Sequence, residues 1–186
     1  MPSARDRVLD AYETLLIDHG AAAITLDAVS AAAGVSKGGL LYHFASKDAL
    51  AAGLLDRLRE RSAADADDIR TAPDGAVAFY IRTSAPGGGT PGGPTRTYLA
   101  VLRLADGTEA GQAVRDALAV VDADGYAALH DELRDPVLAW LVQLVGDGLY
   151  LRTLTGSPLP DGLTVEHLLA RLRRDLPVDP EAPPAG

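Results

Sequence analysis

Residues 25–50 read TLDAVSAAAGVSKGGLLYHFASKDAL, and this stretch decides the fold. Thr25, Ser36 and Ser46 each precede a helix-compatible apolar segment, and a hydroxyl side chain at that place is typical of a helix N-cap. Gly34 stands where a glycine would end the first of these helices. The stretch therefore predicts two short helices joined by a tight turn, followed by the start of another helix.

A longer helix is predicted before this stretch. Residues 4–19 place Val8, Tyr12 and Leu16 on one face, and Gly20 stands where a glycine would end the helix. Helices this short are not stable alone, so they must share one core. A helix that backs two short helices across a tight turn is the helix-turn-helix arrangement.

We call the predicted helix-turn-helix region, residues 1–61, the head. Helical periodicity continues beyond it and β-type alternation is scarce, so we predict an all-α fold. The later helices are predicted at residues 62–71, 74–84, 95–105, 109–133, 136–155 and 164–175. Residues 85–94 (APGGGTPGGP) are predicted to form a mobile loop. We predict a helix-turn-helix DNA-binding domain at residues 1–61, an effector-binding and dimerisation domain at 62–176, and a disordered, proline-rich tail at 177–186.

The composition excludes several classes of protein. The 186 residues include no cysteine, which excludes disulfides, thiolate chemistry and cysteine-type zinc sites. Hydrophobic residues make up 47% of the chain, enough to bury a core. No uninterrupted apolar run approaches the ~18 residues of a membrane span, and acidic residues interrupt the N-terminal region where a signal peptide would lie. We therefore expect a soluble, cytoplasmic chain without a membrane partner.

The net charge of −9 argues at first against a nucleic-acid partner, because binding to phosphates requires lysine and arginine. The charge is unevenly distributed: residues 1–62 carry 7 basic and 8 acidic residues, and the remainder carries 10 and 18. No acidic residue lies between Asp27 and Asp48, and the only two lysines, Lys37 and Lys47, fall within that window. Such a local stretch can face a phosphate although the whole chain is acidic.

The stretch at residues 25–50 resembles the DNA-binding region of the TetR (tetracycline-repressor-like) family of bacterial transcription regulators. The resemblance covers about residues 5–60 and includes the Ala-Gly-Val turn, the segment SKGGLLYHF and the following SKDAL. The remainder is similar to the family only in its helical layout. The resemblance implies a homodimer that reads a near-palindromic operator in double-stranded DNA, a helical domain that binds a small-molecule effector, and no enzymatic activity.

Gly38 and Gly39 lie early in the predicted second short helix, where glycine is unfavourable. Each glycine inside a short helix costs about 1 kcal/mol relative to alanine. One alternative is a loop without helical structure; the other is a recognition helix whose bare backbone approaches the major groove.

Lys37, at the start of that helix, is either a solvated surface residue or a contact to a base edge or phosphate. Leu40 and Leu41 are adjacent, so one of them must face outward, where it would meet a thymine methyl group.

The resemblance implies phosphate contacts from Tyr42, His43 and Lys47, and places Phe44 in the core. The alternative for Tyr42 is packing on the first helix, and for His43 simple exposure. Thr25 and Ser36 are helix caps that can also donate to phosphates. The predicted DNA-binding residues are Thr25, Ser36, Lys37, Gly38, Gly39, Tyr42, His43 and Lys47.

The larger domain offers few side chains for an effector pocket. Trp140 is the preferred candidate because its indole N–H requires a partner, although each candidate has the alternative of being an ordinary core residue. The predicted pocket residues are Phe79, Tyr80, Tyr98, His130, Trp140 and Tyr150. Aromatic residues make up only 5% of the chain, which argues against an aromatic cage for cationic drugs.

The resemblance implies that helices 136–155 and 164–175 form the dimer interface as a four-helix bundle. The first of them is apolar nearly all round, so several of its sides must be covered, one of them by another subunit. The apolar residues of that helix are Val137, Leu138, Trp140, Leu141, Leu144, Val145, Leu149 and Leu151. Gly146 and Gly148 are either points of close helix approach or ordinary weak positions.

Three partial motifs do not support other chemistry. Residues 87–92 (GGGTPG) fit a dinucleotide-binding pattern by letter only, because no strand precedes them and Pro91 interrupts them. Residues 120–131 mimic a calcium loop incompletely. The four histidines are dispersed, and no cofactor or metal is expected. We therefore predict a repressor released from its operator by an effector; the alternative is a helical small-molecule-binding protein or enzyme that does not bind DNA.

Overall fold

Helices occupy most of the residues that the computed structural model describes, which are 2–88, 94–105 and 111–175. In chain order they are α1 (Ala4–His19), α2 (Leu26–Ala33), α3 (Lys37–His43), α4 (Lys47–Thr71), α5 (Ala76–Ser84), α6 (Pro94–Ala105), α7 (Gly111–Leu133), α8 (Pro136–Thr155) and α9 (Val165–Asp175). A short 3₁₀ turn at Ala21–Ala23 lies between α1 and α2. The described residues form an all-α fold, in which an N-terminal helix-turn-helix arrangement is followed by further helices, so the predicted fold class is confirmed.

Local capping explains why the first helices begin and end where they do. The side chain of Thr25 accepts a hydrogen bond from the Ala28 N–H, and that of Ser36 accepts one from the Gly39 N–H. Gly34 ends α2 in the left-handed conformation, with φ 62° and ψ 37°, which a side chain would strain. Thr25 therefore sets the start of α2, and Gly34 and Ser36 set the tight turn between α2 and α3.

The helical bounds agree closely with the predicted ones, with one difference. Residues 47–71 form a single helix, whereas the sequence predicts a separate helix at 62–71. The predicted domain boundary between residues 61 and 62 lies inside α4 and remains a prediction. Residues 85–88 form a turn, while most of the rest of the predicted loop and the whole predicted tail at 177–186 lie outside the described residues.

The chain divides into two compact units. The first consists of Met1–Asp65 and Pro91–Asp124. Its core brings together fully buried apolar side chains from α1, α3, α4 and α6: Val8, Leu9, Leu16, Leu40, Leu50, Leu54, Leu58, Ala100 and Val101. This core fixes α3 against α1 and α4, and so determines which side of α3 is exposed.

A buried polar network also lies in the first unit. The Glu13 carboxylate, 1% exposed, accepts hydrogen bonds from Thr97 Oγ1 at 2.8 Å, Arg57 Nη1 at 3.2 Å and Arg61 Nη1 at 3.4 Å. Arg57 also donates to Asp10. Burial works to lower the pKa of Arg57, but the hydrogen bond to Asp10 and the charge of Glu13 outweigh it, so the pKa is raised. The network joins α1 and α4 to α6.

Tyr12 of α1 buries its whole side chain in this core. Its hydroxyl group is buried and has no hydrogen-bond partner among the described residues. Because an unsatisfied buried polar group costs free energy, Tyr12→Phe should raise the free energy of unfolding by about 1 kcal/mol in urea denaturation. Tyr42→Phe, at an exposed tyrosine, serves as the control and should change nothing measurable.

The same substitution has a consequence at alkaline pH. Burial, together with the charge of Asp48, raises the pKa of Tyr12 to about 12 from its ordinary 10.0. A raised folded-state pKa stabilises the fold below pH 10, and this contribution is lost as the pH rises towards 12. Tyr12→Phe should therefore lose less stability over that range than the unmodified chain. A loss of stability at neutral pH on removing the hydroxyl would contradict the first expectation, and equal losses of stability in the two proteins between pH 10 and 12 would contradict the second.

The second unit consists of Ala66–Thr90 and Gly125–Gly186. Its core contains buried residues of α5, α8 and α9, among them Ile81, Val142 and Leu169. Gly146 of α8 lies against the ring of Tyr80, with which any Cβ at that position would collide. Gly146 therefore permits a close approach of α5 and α8 within one chain, whereas nothing lies within 4 Å of a Cβ at Gly148.

Candidate nucleic-acid interface

The short helix α3 is held by one apolar side and exposes the other. Leu40 is fully buried and Phe44 is 4% exposed, whereas Leu41 faces outward. Tyr42 is 85% exposed, so it does not pack on α1. The Tyr42 and His43 rings meet edge to face, with centroids 5.1 Å apart. The outer side of α3 thus presents an aromatic ring, an imidazole and an apolar side chain together.

Both glycines lie inside α3, so the alternative of a loop without helical structure is wrong for these residues. Nothing lies within 4 Å of a Cβ placed on Gly38, so the backbone at this point is open to an approaching surface. At Gly39 the nearest atom to such a Cβ is Ser36 Oγ, at 3.2 Å. Gly39 therefore also leaves room for the Ser36 cap.

The two lysines have partners within the head. Lys37 Nζ lies 2.9 Å from Asp27 Oδ1 and donates to Oδ2 at 3.0 Å, and both side chains are exposed. Lys47 Nζ donates to the Ala21 carbonyl at 2.9 Å, which ties the start of α4 to the turn before α2. In the sequence, Asp27 marks only the edge of the acid-free window. Its position ten residues before Lys37, across the α2–α3 turn, was the signal available.

Arg5 of α1 also lies near α3, although the sequence does not mark it. Its guanidinium carbon lies 5.6 Å from the centroid of the Phe44 ring, within the range of a cation–π contact. The contact places a further cation of α1 beside the C-terminal end of α3. No periodicity or motif indicated this pairing, because the residues are far apart in the sequence.

The predicted effector residues are divided between the two units. Tyr98 lies on α6 and packs against the core of the first unit, whereas the other five belong to the second unit. There, His130 stacks with Tyr126, with centroids 5.8 Å apart, and Trp140 meets Tyr126 edge to face at 6.3 Å. Tyr126 therefore contacts two of the predicted effector residues, although no pattern in the sequence marks it as a candidate.

The other predicted aromatic residues lie on α5 and α8. Phe79 and Tyr80 are partly buried against the core of the second unit, and Tyr150 is partly buried on α8. Tyr80 donates a hydrogen bond to Asp147 at 3.2 Å. A cleft of ≈ 440 Å³ in this unit is lined by a different set: Asp74, Gly75, Val77, Ala78, Glu132, Leu169 and Arg173.

One face of α8 exposes a stripe of large apolar side chains. Its members, spaced at three, four and seven residues, are Val137, Trp140, Leu141, Leu144 and Leu151, each between 48 and 64% exposed. Among the described residues, α8 alone is long and apolar enough to cross a membrane by length and composition, a weak criterion that core helices also satisfy.

Residues 120–131 lie within the continuous helix α7, so they do not form the loop that a calcium site of the mimicked type requires. Gly125 is helical there, and its nearest non-local neighbours are the side chains of Gln143 and Tyr80.

Comparison with known proteins agrees with this geometry. Residues 8–54 match the family model described as bacterial regulatory proteins, tetR family. The matched segment is similar to this family. It comprises most of α1, the whole of α2 and α3, and the start of α4, which are the elements that place the exposed side of α3. No curated protein matches the chain.

Solved structures share the TetR-like fold along nearly the whole chain. A TetR-family member from Streptomyces coelicolor A3 has a TM-score of 0.68 and 24% identity, covering 95% of this chain and 100% of its own. The multidrug binding protein EbrR, complexed with imidazole, has a TM-score of 0.63 and 26% identity, covering 96% and 97%. NalD of Pseudomonas aeruginosa, described as the secondary repressor of the MexAB-OprM multidrug efflux pump, has a TM-score of 0.62 and 19% identity, covering 93% and 96%.

Proposed function

We propose that this chain is a DNA-binding transcriptional regulator, located in the cytoplasm, that represses its target and leaves its operator when a small-molecule effector binds. The observation that carries the proposal is the orientation of α3. The buried Leu40 seats the helix, so the open backbone at Gly38 and the exposed ring of Tyr42 face outward together. An enzyme has no use for such a surface, whereas a recognition helix in a major groove requires it.

Each predicted contact residue has a role in this proposal. Gly38 and Gly39 let the α3 backbone approach the groove, and Lys37 reaches a base edge or phosphate from the first turn. Tyr42, His43 and Lys47 contact phosphates. Thr25 and Ser36, whose hydroxyl oxygens already accept from backbone N–H groups, donate their hydroxyl protons to phosphates.

Substitution of the two lysines should separate these roles. Lys47→Ala should weaken binding about equally on all duplexes and lower the salt slope, as loss of a phosphate contact does. Lys37→Ala should also relax base preference, by about 1–3 kcal/mol at one operator position, if it reads a base edge. Mobility shifts on operator variants at several salt concentrations measure both effects. Arg59→Ala, which removes a partly exposed cation on α4, is the charge control. Equal loss on all operators for Lys37→Ala would assign Lys37 to a phosphate.

The effector site is proposed in the second unit. The stacked Tyr126 and His130, with Trp140 at the ring edge, supply flat surfaces, and Phe79, Tyr80 and Tyr150 belong to the same unit. Tyr98 lies in the first unit, so only the sequence supports it as an effector residue. EbrR is a multidrug binding protein, which supports a small organic molecule as effector here. Effector binding would favour the state that does not fit the operator.

A homodimer is proposed through α8 and α9. The exposed apolar stripe on α8 supports it, because a soluble protein rarely leaves such a continuous face in water. Two heads in a two-fold dimer would read the two halves of a near-palindromic operator.

One experiment tests the function. A mobility shift with the intergenic DNA beside its own gene, at low and stated salt, should show a specific complex. Absence of binding to any such fragment would leave the alternative, a helical small-molecule-binding protein or an enzyme without DNA binding. The cluster of Tyr126, His130 and Trp140 in the second unit would then be the place to look for that activity.

A further inference from the structure

The ion pair between Asp27 and Lys37 lies on the side of the head that the proposed function turns towards DNA. We infer that Asp27 is a specificity-determining residue: by holding the Lys37 ammonium group, it lowers affinity for DNA of arbitrary sequence. The inference rests on the proposed function and adds a role that neither the motif nor the acid-free window assigns to this carboxylate.

The geometry places the pair where a duplex would meet it. Asp27 lies in the first turn of α2, Lys37 is the first residue of α3, and the Nζ–Oδ1 distance is 2.9 Å. The Lys37 and Asp27 side chains are 58 and 69% exposed. The pair thus spans the tight turn at the surface, and the first turn of α2 favours the negative charge of Asp27.

The pair responds differently to the two kinds of acceptor that DNA offers. A phosphate must displace Asp27 from Lys37 while standing close to a carboxylate that repels it. A guanine edge carries no net charge, so its O6 and N7 can share the ammonium group without that repulsion. A carboxylate can also accept from the N4 amino group of cytosine. Asp27 and Lys37 together therefore suit the edge of a G·C pair and disfavour an unspecific phosphate contact.

The exposure of the pair allows it to open. Exposed ion pairs contribute little to stability, so the correct base edge can replace Asp27 as the partner of Lys37. Asp27 is the carboxylate that pairs with Lys37, and residues 28–47 contain no acidic residue that could replace it from the same stretch. Its removal should convert Lys37 into a free cation on the exposed surface.

The test compares Asp27→Asn with Asp56→Asn. Asp56 on α4 is also exposed and pairs with Arg59 at 3.0 Å, so both variants remove one charge and one exposed ion pair. The probes are an unrelated 30-base-pair duplex and the operator-containing fragment, each titrated at several salt concentrations. Circular dichroism checks that every variant is folded.

We expect Asp27→Asn to raise affinity for the unrelated duplex about threefold per head, the effect of one unit charge several ångströms away in water, and so about tenfold for a dimer. The salt slope should steepen by about one per head. Operator affinity should rise less, so the ratio of specific to unspecific affinity falls. Asp27→Glu should restore the original ratio, and Asp56→Asn should change affinity by less than twofold.

A double-mutant cycle tests whether Asp27 acts through Lys37. In the Lys37→Ala background, Asp27→Asn should have little further effect on the unrelated duplex, because the cation that it would release is gone. Additive effects, or equal changes for Asp27→Asn and Asp56→Asn, would overturn the inference while leaving the proposed function intact. Failure of the unmodified protein to bind either duplex at low salt would overturn the proposed function and this inference with it.

Discussion

Glu13→Ala is expected to lower the free energy of unfolding by about 3 kcal/mol, the low end of the range for removing one partner of a buried ion pair. The Glu13 carboxylate is 1% exposed and accepts hydrogen bonds from Thr97, Arg57 and Arg61. Its loss leaves Thr97 Oγ1, which is fully buried, without that acceptor. Arg57 keeps Asp10 and Asp6 as partners, which is why the upper end of the range is not expected.

Urea denaturation followed by far-ultraviolet circular dichroism measures this effect. Glu13→Gln keeps an acceptor oxygen and the shape of the side chain, so it should cost less than the alanine variant. Glu60→Ala removes an exposed glutamate from α4 and should change stability by less than about 0.5 kcal/mol. A Glu13→Ala midpoint equal to that of Glu60→Ala would mean that the network contributes nothing to stability.

The network also shows which features the sequence could not reveal. The helices were predictable because their signals are local: Thr25 and Ser36 cap within three residues, and Gly34 ends α2 by its own backbone conformation. The Glu13–Arg57 and Glu13–Thr97 contacts join residues 44 and 84 positions apart. The sequence offers several acidic residues on α1, and none of them is marked as the buried one.

The candidate interface was predictable in its members but not in its internal pairing. The residue types from Thr25 to Leu50 are recognisable as a helix-turn-helix pattern, and the structure places α3 as that pattern requires. The Lys37–Asp27 pair depends on how two helices meet across a turn, which composition within a window does not describe. The aromatic contacts of Tyr126 depend likewise on the packing of α7 against α8.

The exposed stripe on α8 illustrates the same limit. The sequence showed a helix apolar nearly all round, without indicating which side the chain itself covers. The structure buries Ala139, Val142 and Leu149 and leaves the stripe of Val137, Trp140, Leu141, Leu144 and Leu151 exposed. The fold therefore defines the side of α8 that needs a partner, and substitutions in the exposed stripe can test it.

Leu141→Glu combined with Leu144→Glu is expected to convert the proposed dimer into a monomer and to lower operator affinity by about 100-fold or more. Both side chains are half-exposed on the α8 stripe, so glutamate fits the isolated subunit without disturbing its core. In a dimer the same carboxylates would be buried against their symmetry mates, where like charges without partners are strongly unfavourable. A monomer has one head, and it loses the gain of about 10²–10⁴ that linking two binding sites provides.

Light scattering at micromolar concentration and mobility shifts on the operator fragment measure the two effects. Val120→Glu combined with Leu163→Glu is the matched control, because it replaces two exposed apolar residues outside the stripe and adds the same charge. The control should remain a dimer with nearly unchanged operator affinity, which would separate loss of the interface from the added repulsion of an already acidic protein. If the stripe variant stayed dimeric, the proposed interface would be wrong. If it became monomeric yet bound the operator as tightly as the control, one head would suffice, and the two-fold reading of the operator would be wrong instead.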